Sequence, residues 1–378
     1  MTTVETRPAA PERFAYSIDL SRWPALRRPA PAPKRAAIAR LLLRKVAAQT
    51  GVRVEQPGGR GFGAEHGSVL RITNPGAFFD RVGRHGKIGF GEAYMAGEWR
   101  ADGDLARLLE PMARDIRSLV PARLQWIRRY YEPRPPAEED NDPTGARRNI
   151  SRHYDLSNEL FALFLDPSMT YSSAIFRGSD DRLEEAQTRK IDQLLDAARV
   201  GPGTRLLEIG TGWGELALRA ARRGAQVTTL TLSEEQARLA RQRIADAGLA
   251  AQVEVLVQDY RHCSGTYDAI VSVEMIEAVG ERWWPTFFRV LDGRLAPRGR
   301  IAIQSILMRH EGVVAARNSW TWIHKYIFPG GMIPSLQAIE STVAEHTGLR
   351  VLQRHHFGSS YAETLRRWRE RFMAEEQA

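Results

Sequence analysis

The chain is almost without cysteine: Cys263 is alone among 378 residues. A single thiol excludes an internal disulfide and a cysteine-rich metal site. No apolar run approaches the ~18 residues a membrane-spanning helix needs. The opening stretch, MTTVETRPAAPERF, lacks the apolar block of a signal peptide, so a cytoplasmic location is expected. No internal repeat is visible. No helix-turn-helix, zinc or RNA-binding signature is visible either, so nucleic acid is not an expected partner.

What is present is a 43% hydrophobic fraction, enough for a real core. The length suits about two domains at roughly 100–200 residues each. Net charge is +9 with a pI near 9.9. Such a balance favours a polyanion, and an anionic membrane surface is one. An arginine-rich surface without a partner explains the charge equally well.

Residues 1–34, rich in Pro, Ala and Arg, read as a disordered leader. Residues 35–131 form the expected N-terminal domain. It starts with an amphipathic basic stretch, RAAIARLLLRKVAAQ (35–49), suited to a core or to a membrane surface. Short β-like pieces follow (VRVEQ, SVLRIT), then the turn signal Asn74-Pro75-Gly76. LARLLEPMARDIRSLV looks helical, broken or kinked at Pro111. EPRPPAEEDNDPTGARR (132–148) reads as a linker. Residues 149–378 alternate strand-like and helix-like segments, as an α/β sheet does.

TRLLEIGTGWGELALRAARRGA (204–225) places a glycine-rich loop between a buried strand and a helix. Glycines allow the tight turn and a close approach of backbone to ligand. Gly210 and Gly212 are the candidate cofactor contacts in that loop. Glu208, just before it, can accept hydrogen bonds from a ligand cation. A dinucleotide site would usually end the next strand with an acid. Here it ends in Thr231-Leu232-Ser233, with Gln236 beyond, which counts against NAD. The third strand ends at Asp259, placed to accept from an adenine amino group. The fourth, TYDAIVSVEMIEAVG, runs into Glu274 and Glu277. Burying a lone carboxylate costs several kcal/mol, so two acids in this apolar stretch need a reason. The order of these segments is similar to class I methyltransferases that use S-adenosylmethionine. The expected fold is α/β, a class I methyltransferase Rossmann-like sheet with a smaller N-terminal α+β domain.

HYDLSNELFALFLDPSMTYSSAIF (153–176) narrows the choice. With LEIGTGWG, TLSEEQ, QDYR, EMIEAVG, KYIFPGGMIPS and YAETLRRWRERF, it resembles the cyclopropane-fatty-acid synthase family. GFGEAYMAGEW matches that family's N-terminal domain. The resemblance is dense from about Gly86 to Phe372. It implies methyl transfer from S-adenosylmethionine to a cis double bond in a phospholipid acyl chain. It also implies that Tyr171 and Ser172 touch the cofactor. Glu277 and Tyr361 then correspond to groups at a bicarbonate ion that acts as base. Tyr154 and the run Tyr326-Ile327-Phe328 are candidates to line the acyl slot. The rival reading is a methyltransferase for a soluble amine or hydroxyl; the glycine loop alone fits it equally well.

Two departures alter the implied ion site. Better-known members have Cys where this chain has Ser173, and His where it has Gln304. Gln hydrogen-bonds but cannot carry a proton as His can. Glu274 also stands where several members have glycine, and Ala278 where they have His. The Tyr-Ser-Ser-Ala pattern is similar to enzymes that install a methylene branch on oleoyl chains, the precursor of a 10-methyl fatty acid. A protein carboxylate, Glu274 or Glu159, is expected to compensate for the altered site. Two settings remain open for Glu274: a helical turn sharing a face with Glu277, or the strand end.

A phospholipid substrate implies docking on the inner membrane face. The candidate segments are RAAIARLLLRKVA and PARLQWIRRYYEPR (121–134), where Trp126, Tyr130 and Tyr131 interleave with arginines. A homodimer, and a separate reductase for a methylene product, are compatible partners.

Overall fold

A computed structural model describes residues 18–115, 133–154, 157–178, 180–317 and 319–375. The chain divides into two compact units, Met1–Glu132 and Pro133–Ala378.

The first unit is α+β. Its elements are α1 (Pro33–Thr50), β1 (Arg53–Gln56), β2 (Arg60–Gly63), β3 (Val69–Ile72), α2 (Pro75–Met95), β4 (Trp99–Asp102) and α3 (Leu105–Asp115). The sheet order is β2-β1-β3-β4, with β1 and β3 parallel and the outer pairs antiparallel. Ala39, Leu43 and Ala47 recur every four residues along α1 and face a core with Val54, Leu70, Phe78 and Trp99. Asn74 caps α2 by accepting from the Ala77 amide at 3.2 Å, and Pro75 fills the first turn, where no N–H is needed. Of the two outcomes expected at Pro111, a break is absent: α3 runs through it as one helix.

The leader is a correction. Residues 18–34 are folded, because Arg81 is 1% exposed and needs acceptors. Its guanidinium donates to the carbonyls of Ala25, Leu26 and Arg27 and pairs with Glu98 at 2.7 Å. A buried cation thus draws the preceding chain against α2.

The second unit begins inside the stretch expected to be a linker. Residues 133–148 are not a spacer: Glu139 and Asn141 are buried, and α4 (Pro143–Tyr154) starts there. Asn149 ties the turn together, donating to Glu139 O at 3.0 Å and Asn141 Oδ1 at 2.9 Å. Then follow α5 (Asn158–Phe164), α6 (Leu183–Ala197), β5 (Arg205–Ile209), α7 (Glu215–Arg222), β6 (Gln226–Thr231), α8 (Glu234–Asp246), β7 (Val253–Val257), β8 (Tyr267–Val273), α9 (Ile276–Val279), α10 (Trp284–Arg294), β9 (Leu295–Gln304), α11 (His310–Ala316), α12 (Trp322–Tyr326), α13 (Leu336–His346) and α14 (Gly358–Ala374).

The sheet order is β7-β6-β5-β8-β9, parallel throughout. Successive side chains of a strand face opposite sides. Leu206, Val227, Ala269 and Val271 therefore pack with α6, α7 and α8. Leu207, Ile209, Leu230 and Ile270 pack with α10 and Val343 of α13. All five strands end at one edge of the sheet, which is where the candidate residues lie.

Candidate active site

The loop after central strand β5 turns through Gly210, Gly212 and Gly214, all at positive φ. A Cβ on Gly212 would meet nothing within 4 Å, so the backbone there borders open space. A Cβ on Gly214 would sit 3.0 Å from Ala240 Cβ, so that glycine lets α7 approach α8. Glu208 is 3% exposed, and Thr229 donates to it at 2.6 Å. Burial lifts its carboxyl to about 8, opposed by that hydroxyl and by Lys190. At the end of β6, Thr231 Oγ1 lies 3.0 Å from Gln236 Oε1, and Ser233 caps α8. Gln236 Nε2 is buried without a partner. Leu232 between them is half-exposed.

Tyr171, Ser172 and Ser173 lie on a strap, residues 170–176, that belongs to no helix or sheet. Such backbone must find its hydrogen bonds elsewhere. Here side chains from other elements supply them. Gln187 donates to Ser172 O at 2.8 Å, Thr364 accepts from the Ala174 amide at 3.0 Å, and Ser360 accepts from the Phe176 amide at 3.1 Å. Ser172 Oγ accepts from Lys190 at 2.6 Å. Tyr171 stacks on Trp368 at 5.3 Å and meets Phe161 edge-on.

Glu274 belongs neither to a helix nor to a strand. It sits between β8 and α9 at φ +47, a region that disfavours side chains other than glycine. Its amide donates to Gln304 O at 2.8 Å. Its Oε1 accepts from the Ser173 amide at 2.8 Å and from Gln304 Nε2 at 2.9 Å. The shared face with Glu277 expected of a helical turn is therefore replaced by a tight turn that aims Glu274 at the strap. Glu277, on α9, accepts from the Ile306 amide through Oε1, while its Oε2 is buried without a partner. Burial first, then the charge of Glu274, raise its carboxyl to about 7. Burial also raises Glu274, opposed by the Ser173 amide, Gln304 and Lys190. Tyr361, on α14, is pushed up to about 12 by burial and by the charges of Glu274 and Glu277. Glu274, Glu277, Gln304, Ser173 and Tyr361 thus form one cluster.

Other candidates fall differently. Asp259 is buried, and both its oxygens are taken by Arg261, at 2.8 and 2.6 Å. Glu159 is exposed at the start of α5, its carboxyl lowered by its own amide and by Ser157. It is not in the cluster, which removes it as the compensating carboxylate. Tyr326 and Ile327 are half-exposed, and Phe328 is 41% exposed. The Tyr154 side chain and residues 121–132 lie outside the described residues. The sequence reading missed Lys190, Gln187, Ser360 and Thr364. The signal for the first two was in LEEAQTRKIDQLL: Gln187 and Lys190 share the apolar face of α6 with Leu183, Ala186 and Ile191.

A parallel sheet carrying a glycine loop after its central strand, with polar groups at five successive strand ends, defines a class I S-adenosylmethionine-dependent methyltransferase. The chain belongs to the family described as mycolic acid cyclopropane synthetase, whose profile matches residues 141–378. It is 49% identical to the tuberculostearic acid methyltransferase UfaA1 of Mycobacterium tuberculosis, over 98% of this chain and 88% of the relative. It is 36% identical to the cyclopropane-fatty-acyl-phospholipid synthase of Escherichia coli K12, over 81% of this chain and 76% of the relative. The solved structure of mycolic acid cyclopropane synthase CmaA1, complexed with SAH and CTAB, superposes with a TM-score of 0.56. That match is 32% identical and covers 61% of this chain and 84% of the other. The fold class and cofactor expected from sequence agree with these findings.

The residues fit S-adenosylmethionine. The unpartnered Gln236 Nε2 and the open space at Gly212 offer a donor and a close backbone approach. When bound, that cofactor supplies an electrophilic methyl on a sulfonium. The same residues fit bicarbonate poorly. An anion needs donors, yet the Ser173 amide and Gln304 Nε2 already serve Glu274. Glu277 Oε2 and Gln304 Oε1, buried without partners, are acceptors, which leaves the Tyr361 hydroxyl as the remaining donor of the cluster.

Proposed function

We propose that the enzyme methylates a cis double bond of an oleoyl phospholipid and releases a methylene-branched acyl chain, with Glu274 as the base. The observation that carries this reading is the Glu274 carboxylate seated on the Ser173 amide and the Gln304 side chain. Similarity to UfaA1 over nearly the whole chain supports the branched product.

The residues divide the work. Gly210, Gly212, Glu208, Thr231, Leu232 and Gln236 hold the cofactor with Tyr171 and Ser172. Addition of the methyl to one alkene carbon leaves a carbocation on the other. The Glu274 and Glu277 charges and the aromatic ring of Tyr361 stabilise it. A hydride shift moves the positive charge to the methylated carbon. Glu274 then takes a proton from the new methyl, and the C–H electrons close an exocyclic double bond. Gln304 fixes Glu274, and Glu277 and Tyr361 complete the wall of the site. Reduction of that double bond needs a hydride and a proton from a separate enzyme.

The substrate lies in a bilayer, so the enzyme docks peripherally on an anionic cytoplasmic leaflet. On α1, Ile38, Leu41 and Leu42 are 57%, 65% and 53% exposed, flanked by exposed Lys34, Arg35 and Lys45. An apolar stripe with a basic rim suits such a surface. No helix among the described residues is long and apolar enough to cross a membrane.

The test supplies oleoyl phosphatidylglycerol vesicles and methyl-labelled S-adenosylmethionine in bicarbonate-free buffer. Product acids are then read by NMR, because the two isomers share one mass. Vinylic methylene signals are expected. A cyclopropane as sole product, or activity only with added bicarbonate, overturns the reading.

A further inference from the structure

Lys190 is 1% exposed, yet nothing in the reaction above uses it. It lies on α6, a helix whose other inward residues are Leu183, Ala186, Gln187 and Ile191. A buried ammonium is retained only where charge and hydrogen bonds compensate its desolvation. The one at Lys190 donates to Ser172 Oγ at 2.6 Å. Three acidic side chains from three places in the chain act on its charge: Glu274 after β8, Asp166 ahead of the strap and Glu208 on β5. Asp166 is itself 1% exposed, with Oδ1 unpartnered.

Ser172, which Lys190 grips, directly precedes Ser173, whose amide seats Glu274. The lysine thus acts on Glu274 by two routes. Its charge favours the ionised carboxylate across a dry interior. Its hydrogen bond fixes the part of the strap that presents the Ser173 amide.

We propose that Lys190 is a positioning residue, the buried counter-cation that keeps Glu274 ionised and holds its seat in register. This rests on the reading of Glu274 as the base. Lys190 does not touch the substrate. Its hydrogen bond to Ser172 and its charge interactions with Glu208 and Glu274 couple one cation to both the cofactor residues and the base.

The sign of its effect is definite. Desolvation lowers the Lys190 ammonium to about 8, with Glu274, Asp166 and Glu208 opposing the fall, so at neutral pH it remains mostly charged. The groups facing Glu274 are Lys190, which favours its ionisation, and the carboxylate of Glu277 and the phenol of Tyr361, which titrate beside it. A base must be deprotonated, so activity rises with pH through its limb. Removing the cation moves that limb to higher pH.

The experiment compares pH–rate profiles of wild type, Lys190→Met and Lys190→Arg, with cofactor binding measured alongside. Lys190→Met is expected to shift the limb up by about one pH unit, with kcat falling more than KM rises. Lys190→Arg is expected to keep the limb near its wild-type position. An unshifted limb in folded Lys190→Met overturns the proposal, as does an equal shift when Glu274→Gln is already present. If Lys190→Met does not fold, the ionisation of Glu274 is read directly. The infrared difference between wild type and Glu274→Gln, recorded at pH 6, is expected to contain an ionised carboxylate band. A protonated carboxyl band there overturns the proposal. Neither readout depends on the product, so a cyclopropane product would defeat the methylene reading while leaving the Lys190 result intact.

Discussion

At the scale of single residues, Glu274 combines backbone strain with a purposeful side chain. An L-residue at φ +47 costs about 1–2 kcal/mol against an ordinary conformation. Two hydrogen bonds to an ionised carboxylate offset a cost of that size. Glycine removes the strain and the carboxylate together. Glu274→Gly is therefore expected to fold at least as stably as wild type, yet to lose about 100-fold or more in kcat. Formate should restore part of that loss, because the Ser173 amide and Gln304 Nε2 are then free to hold a small carboxylate. Thermal unfolding and lipid methylation with and without formate check this; wild-type rates in Glu274→Gly would refute it. Sequence alone left Glu274 between strand and helix, since its direction depends on one backbone torsion that no pattern encodes. The pairing of Glu277 with Tyr361 was legible only through motif resemblance, as the two are far apart in the chain.

At the scale of elements, the strands announced themselves and the strap did not. Strand ends at Ile209, Thr231 and Val273 follow from buried runs terminated by glycine or polar residues, and the parallel order follows from alternation with helices. The strap reads as a loop, because its hydrogen-bond partners are side chains far away in sequence. Gln304 and Thr364 reach it from 131 and 190 residues on. This arrangement has a measurable weak point. Thr364 is fully buried; its hydroxyl accepts from the Ala174 amide and donates to Ser360 O at 2.8 Å. Thr364→Val keeps the volume but strands the Ala174 N–H. Denaturant unfolding is expected to show a loss of about 1–3 kcal/mol, with kcat reduced as the strap loosens. An unchanged midpoint and rate would show that the strap does not depend on α14.

At the scale of the whole molecule, composition suggested two domains, but the boundaries came from buried polar residues. Arg81 holds the 25–27 carbonyls, so half of the supposed leader is folded. Asn141 and Asn149 draw the proline-rich stretch onto the second unit. Neither effect has a periodic signature, because each rests on one side chain meeting distant backbone. Net charge is different: it is plain in the sequence and acts without any particular contact. A charge of +9 with an exposed Ile38-Leu41-Leu42 face on α1 predicts binding to anionic vesicles in two separable parts. Raising salt from ~0.05 to ~0.5 M shortens the screening length and should weaken binding to anionic vesicles while leaving neutral ones little affected. The double substitution Leu41→Asp, Leu42→Asp lies on exposed positions and should leave thermal stability unchanged. It should weaken vesicle binding about tenfold or more at either salt, because buried apolar area and surface attraction contribute together. Vesicle sedimentation across the salt series reads both parts. Equal binding to neutral and anionic vesicles at both salts would remove the electrostatic part, and unchanged binding in the double variant would move the docking face off α1.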